Sequence, residues 1–128
     1  MPYAVPSHLA SVADARALFG MIADARREIA VIAYLAADHR LIGLDYVVGT
    51  RDSVEVAPRL VVSGALRHGA RQVVMAHNHP SGDPRPSPAD LAHARRLAQA
   101  LHPIEVRLAD QLILAGPATI SLRALGLL

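Results

Sequence analysis

Gln72-Val73-Val74-Met75-Ala76-His77-Asn78 runs into His79-Pro80-Ser81-Gly82-Asp83-Pro84-Arg85-Pro86 and then Ser87-Pro88-Ala89-Asp90-Leu91. The first block is a short apolar run with β-branched residues, the pattern of a buried strand. Pro80 to Pro86 holds three prolines and a glycine, and reads only as loop. Ser87 then offers a helix cap, Pro88 a residue suited to the first helical position and Asp90 an acid at the third. Leu91, Ala94, Ala98 and Leu101 continue on one side of that helix. Strand, rigid loop and helix in succession are the unit of an α/β fold.

Outward from this unit the chain repeats the theme. From Ser11, apolar residues recur at Val12, Ala15, Phe19, Ile22 and Ala25, which predicts a helix capped by Ser11. Glu28 opens the apolar run Ile29 to Ala37, Asp38-His39-Arg40 makes a turn, and Leu41 to Val48 reads as the antiparallel partner. A helix is expected from Pro58 to Gly69, with Arg59, Ser63 and Arg67 wet and Val61, Val62, Ala65 and Leu66 buried. After the third helix, Ile104 to Ala109 and Leu112 to Ala115 read as short strands, and Thr119 to Leu122 as one more. The order αββαβαββ implies one α/β domain, a mixed sheet flanked by helices, over 11–128 behind an N-terminal arm over 1–10.

Composition bounds what such a domain does. With 128 residues, 52% of them apolar, there is room for one core and little more. No apolar run approaches the ~18 residues of a membrane span, and Met1 to Pro6 lacks the features of a secretory signal. A cytoplasmic protein without membrane partners is the expectation. There is no cysteine, so disulfides, thiolate metal sites and thiol catalysis are excluded. The pI near 9.7 overstates the charge, which is only +2, because all the cations are arginines and arginine keeps its proton far above neutral pH. The arginines are scattered and aromatics make up 3%, so composition offers little to a nucleic acid. The high apolar fraction suits a homodimer.

Side chains at i and i+2 of a strand point the same way, so His77 and His79 converge where strand becomes loop. Asp90, in the first turn of the next helix, is able to face back toward them. Two imidazoles and a carboxylate with a position left for water are the catalytic form of a zinc site. A second reading stands beside this one: Ser87 to Asp90 is a complete helix start without any metal, and seven histidines make a His-x-His pair unremarkable. His-Asn-His is not the nuclease signature of that name, whose members are spread over a ββα element. Zinc deaminases need a Cys-x-x-Cys pair, which is absent.

His-x-His, seven residues, then Ser-x-x-Asp resembles the signature of JAMM (MPN+) zinc metallopeptidases. The string His77 to Pro84 with Pro86-Ser87 and Asp90 resembles the RadC branch, as do Arg27-Glu28, Gly49-Thr50, Pro58-Arg59 and Ile120-Ser121-Leu122-Arg123. The resemblance implies a JAB/MPN (cytidine-deaminase-like) domain that holds Zn2+ on His77, His79 and Asp90. It implies Glu28 as general base and Ser87 as oxyanion stabiliser, in a peptidase or isopeptidase acting on a protein or peptide. Spacing alone ranks Glu28 no higher than Glu55. The family label also implies a role in DNA repair or recombination, but this chain has no room for the helix-hairpin-helix region that longer members carry. A non-catalytic zinc-stabilised scaffold is a third reading. The family pattern has Asp-His before the late strand, where this chain has Asp110-Gln111. His8, His39, His68, His93 and His102 are expected on loops or polar helix faces, and Asp83 in a turn.

Overall fold

The computed structural model describes residues 5–128, so the first four residues of the expected arm lie outside it. Helix α1 spans Val12–Phe19 and runs into a 3₁₀ turn over Gly20–Ile22. Strands β1 (Ile29–Leu35) and β2 (Leu41–Val48) follow, then α2 (Pro58–His68), β3 (Gln72–Asn78), α3 (Pro88–Leu101), β4 (Arg107–Ala115) and β5 (Ala118–Ser121). The five strands form one sheet in the order β2-β1-β3-β4-β5. Only β3 and β4 run parallel, joined by the crossover through α3, and the other pairs are antiparallel.

Both faces of the sheet's centre are covered, while β2 leaves Leu44, Tyr46 and Val48 exposed on the α1 side. On one, α2 and α3 pack Val61, Ala65, Leu97 and Leu101 against Ile32, Tyr34, Val73 and Ile113. On the other, α1 packs Leu18 and Phe19 against Ala33, Leu35, Val74 and Leu114. The central strand β3 is buried along its whole length, as expected of a strand sandwiched between helical layers. Residues just before α1 join the same body: the Leu9 N–H donates to the His39 carbonyl, and the Leu41 N–H to that of Ser7.

The expected hairpin, the second helix and β3 all form where the pattern placed them. Gly69 closes α2 in the left-handed conformation at φ 65°, a geometry that costs glycine least. Four expectations are corrected. Apolar period carried the first helix too far: the chain tightens into 3₁₀ at Gly20, and Val12 is 74% exposed. Leu66, assigned to the buried face of α2, faces solvent instead. The two short strands after α3 are one, β4, because Asp110 does not break the ladder. Its Oδ1 accepts the N–H groups of Gln111 and Arg123, and its Oδ2 accepts the Ser121 hydroxyl. Ile104, expected in a strand, lies in a 3₁₀ turn.

Gly64 on α2 sits directly over the buried Tyr34 ring: a Cβ built there would lie 2.0 Å from Tyr34 Oη. That hydroxyl donates to Asp45 Oδ2 at 2.7 Å, and Arg67 approaches the same oxygen at 3.4 Å. The small residue thus lets helix and sheet approach closely enough to close a polar link in a mostly apolar layer.

Candidate metal centre

The C-terminal end of β3 delivers His77 and His79 to one side of the sheet, as the period of a strand requires. His77 is buried and His79 partly so. The proline-rich loop returns the chain so that α3 begins beside them. Ser87 caps α3 and Asp90 completes a reciprocal capping box: Ser87 Oγ accepts the Asp90 N–H at 3.0 Å, and Asp90 Oδ2 accepts the Ser87 N–H at 2.8 Å. The helix-start reading and the metal reading therefore describe the same residues, since the box fixes the carboxylate that faces the imidazoles. Asp90 Oδ1 lies 3.3 Å from His77 Nε2, and Asp90 Oδ2 lies 3.2 Å from His79 Nε2. The two Nε2 atoms are 3.1 Å apart.

Glu28 enters from the other side of the site, just before β1. It is buried, with Oε1 3.9 Å from His79 Nε2. Glu28, His77 and His79 each place one ligand atom within 4.8 Å of the others. The structure thus brings together all five residues singled out in the sequence. It also separates the two glutamates that spacing left unranked: both line the cleft, but Glu55 is exposed and Glu28 is buried beside His79.

A tetrahedral ion bound at about 2.0–2.1 Å to nitrogen and oxygen holds its ligands roughly 3.3 Å apart. The Nε2–Nε2 separation and the distance from each histidine to its nearer Asp90 oxygen lie close to that value, and the 3.9 Å from Glu28 to His79 exceeds it. The tautomer of His79 fits too. Its Nδ1–H donates to the Asp83 carbonyl at 2.8 Å, so the neutral ring turns the Nε2 lone pair toward the centre. A backbone carbonyl behind a histidine is a common orienting partner in metal sites. The Asp83 side chain is itself engaged by the Arg85 guanidinium, whose hydrogen bonds hold the exposed carboxyl down at about 2. Asp83 is thus the turn former expected of it and, through its carbonyl, a support for His79.

Electrostatics sort the two carboxylates. Burial pushes the Asp90 carboxyl up, but hydrogen bonds from His77, from His79 and from the Ser87 N–H together outweigh it and hold Asp90 well below the usual carboxylate range. Burial also raises Glu28, and there it prevails over the attraction of His77 and His79. The hydrogen bond to Asp90 raises His79. One carboxylate stays ionised beside the histidines while the other has higher proton affinity, the division of labour that a ligand and a base require.

The site opens on a cleft of about 1140 Å3, walled on one side by the segment 51–58. His93, one turn beyond Asp90 on α3, reaches the Val56 carbonyl in that segment at 2.7 Å from its Nε2. It is part-buried there and does not lie on a freely solvated face as its sequence position suggested. His68 likewise packs against the Tyr34 ring. Gln111, where the family pattern has histidine, is buried, and its Oε1 has no hydrogen-bond partner among the described residues. Two supporting residues escaped the sequence reading. His93 gave no signal, because its contact is set by how the 51–58 segment folds over α3. Asn78 did give one: a carboxamide inside a fully buried strand must find partners.

A profile of the RadC-like JAB domain matches residues 9–127. A UPF0758 protein of Bordetella petrii is 50% identical over 80 residues, which cover 62% of this chain and 36% of that protein. A UPF0758 protein of Xanthomonas campestris pv. campestris is 42% identical over 100 residues, covering 77% and 44%. One of Thiobacillus denitrificans is 38% identical over 107 residues, covering 83% and 48%. This chain spans less than half the length of these curated relatives. Among the described residues no helix is long and apolar enough to cross a membrane.

Proposed function

This chain belongs to the RadC-like JAB domain family, and from that premise we propose that it is a zinc-dependent hydrolase cleaving peptide or isopeptide bonds. The observation that carries the reading is the spacing of four side chains. His77 Nε2 and His79 Nε2 stand 3.1 Å apart, and each lies 3.2–3.3 Å from its own oxygen of the Asp90 carboxylate, distances close to those between ligands of one tetrahedral ion, while Glu28 lies farther from His79, at 3.9 Å. His77, His79 and Asp90 hold the metal. A zinc ion so bound lowers the pKa of its water to about 7 and polarises a substrate carbonyl. Glu28, the carboxylate with raised proton affinity, accepts a proton at its carboxyl oxygen and later returns it to the leaving amine. Ser87 Oγ accepts the Asp90 N–H as a cap, which leaves its hydroxyl proton available to the oxyanion of the substrate. The substrate is a protein or peptide segment lying in the cleft beside the 51–58 segment.

Metal content tests this reading first. Purified wild-type protein is expected to carry about one zinc per chain by elemental analysis, and His77→Ala and Asp90→Ala to carry almost none. A folded wild type that also refuses added zinc would leave Asp90 as a helix cap alone.

The pH dependence of stability tests the same centre by sign. In metal-free protein His79 has a raised pKa, from its hydrogen bond to Asp90. It therefore contributes stability that is fully present below its unfolded value of about 6.5 and is lost as pH rises through the folded value. Glu28, also raised, disfavours the folded state once it ionises and acts in the same direction. Asp90, lowered, contributes stability above about pH 4 that is lost only in stronger acid. Thermal melts with chelator are expected to fall by a few degrees between pH 6 and pH 8. With zinc the trend reverses, because binding requires neutral imidazoles and releases protons. Parallel trends in the two series would count against a metal held by these histidines.

A further inference from the structure

Asn78 lies between the two histidines but points to the opposite side of the sheet, by the alternation of a strand. It is fully buried, at 0% exposure. Its Oδ1 accepts the Ile29 N–H at 2.6 Å, and its Nδ2 donates to the carbonyls of Arg27 at 2.9 Å and Ala25 at 3.2 Å. One carboxamide thus grips the backbone on both sides of Glu28. The other side of that segment is tied by main chain alone: the Glu28 N–H donates to the Thr50 carbonyl, and the Gly49 N–H to that of Glu28.

The reason for a side chain here lies in the register. The last β1–β3 pair is Ala30 with His77. Beyond it no β1–β3 pair forms, and the Ile29 N–H, which would meet the Asn78 carbonyl in a continued ladder, goes to the Asn78 side chain. Main-chain pairing therefore ends two residues short of Glu28, and the carboxamide of Asn78 takes over from it. Only asparagine suits the place: the site needs an acceptor for one N–H and donors for two carbonyls. Aspartate lacks the donors and glutamine is a methylene too long.

We infer that Asn78 is a positioning residue that holds Glu28 at its distance from the His77–His79–Asp90 centre, coupling the strand that carries the histidines to the segment that carries the base. This rests on the hydrolase reading above. Asn78 touches none of the groups assigned to metal or substrate, so its loss is expected to displace the base while sparing the metal.

The experiment compares wild type, Asn78→Ala, Asn78→Ser and Glu28→Gln, all as full chains loaded with cobalt(II). Cobalt affinity, measured by competition with a chromophoric chelator, is expected to stay within about threefold in every variant. The pH at which the visible cobalt spectrum titrates is expected to shift in Glu28→Gln, and to move at least half of that distance in both Asn78 variants. In parallel, amide exchange at Ile29 is expected to accelerate about tenfold or more, while exchange at the paired amides of Ala33 to Leu35 stays at the wild-type rate. Asn78 variants that titrate like wild type, while Glu28→Gln shifts, would overturn the inference and leave the hydrolase reading standing. A Glu28→Gln protein that itself titrates like wild type would refute the base assignment and the inference with it. Unfolding of both Asn78 variants would also overturn it, by showing that the carboxamide supports the whole sheet and not the Glu28 segment.

Discussion

Glu28→Gln is expected to keep its zinc and to lower the rate of peptide hydrolysis by about 10²–10⁴-fold, the usual contribution of a positioned general base. Glutamine preserves the shape and the burial of the side chain while removing its capacity to take a proton. Because Glu28 lies 3.9 Å from His79 Nε2, beyond the spacing of the other three groups, metal content should stay near wild type. The informative result is that separation. Loss of metal together with rate would make Glu28 a ligand. An unchanged rate at full metal occupancy would remove Glu28 from the chemistry altogether. Any peptide or isopeptide substrate found by screening zinc-loaded wild type serves for the comparison, with His77→Ala as the metal-free blank.

Gly64→Ala is expected to destabilise the fold by about 1–3 kcal/mol, the range for forcing an extra carbon into a packed core. The new methyl would meet Tyr34 Oη at 2.0 Å and Cζ at 2.2 Å, and Tyr34 is fully buried with nowhere to retreat. Moving the ring breaks its hydrogen bond to Asp45, a further ~0.5–1.5 kcal/mol. Alanine's better helix propensity returns only about 1 kcal/mol. The denaturant midpoint should fall with the slope unchanged. Ser63→Ala, one position away on the exposed face, should change stability by no more than about 0.5 kcal/mol. If both variants matched wild type, Gly64 would not be what allows α2 to approach the sheet.

Much of this was legible in the residues because it is local. A hairpin needs two apolar runs and a turn, and Ile29 to Val48 contains them. Gly69 and Ser87 mark helix ends by conformational cost and by capping. The convergence of His77, His79 and Asp90 follows from strand period, a loop too rich in proline to wander, and a helix whose first turn must point its acid backward. What was not legible is set by tertiary contact. Leu66 and Leu97 belong to helices of clear amphipathic pattern, yet Leu66 is exposed and Leu97, not counted among the buried residues of its helix, is fully covered. Which residue at the margin of an apolar stripe is covered depends on the neighbouring helix. Glu28 and Glu55 differ in nothing a short window detects. Only the pairing of β1 with β3 brings Glu28 beside the histidines, while Glu55 stays exposed.

The arrangement of the site also sets an order of events as the chain folds. The three proposed metal donors fall within residues 77–90, a stretch that one loop and one helical turn bring together. The base is joined to them by contacts such as that of Ile29 with Asn78, which are 49 residues apart. Closing a short loop is fast, whereas pairing distant strands waits on the larger entropy of a long one. On the proposed reading, metal capture would be a local and early step, and hydrolytic competence a late one. An incompletely folded chain would hold its ion without the group that makes it reactive, and would acquire cutting power only when β1 docks against β3.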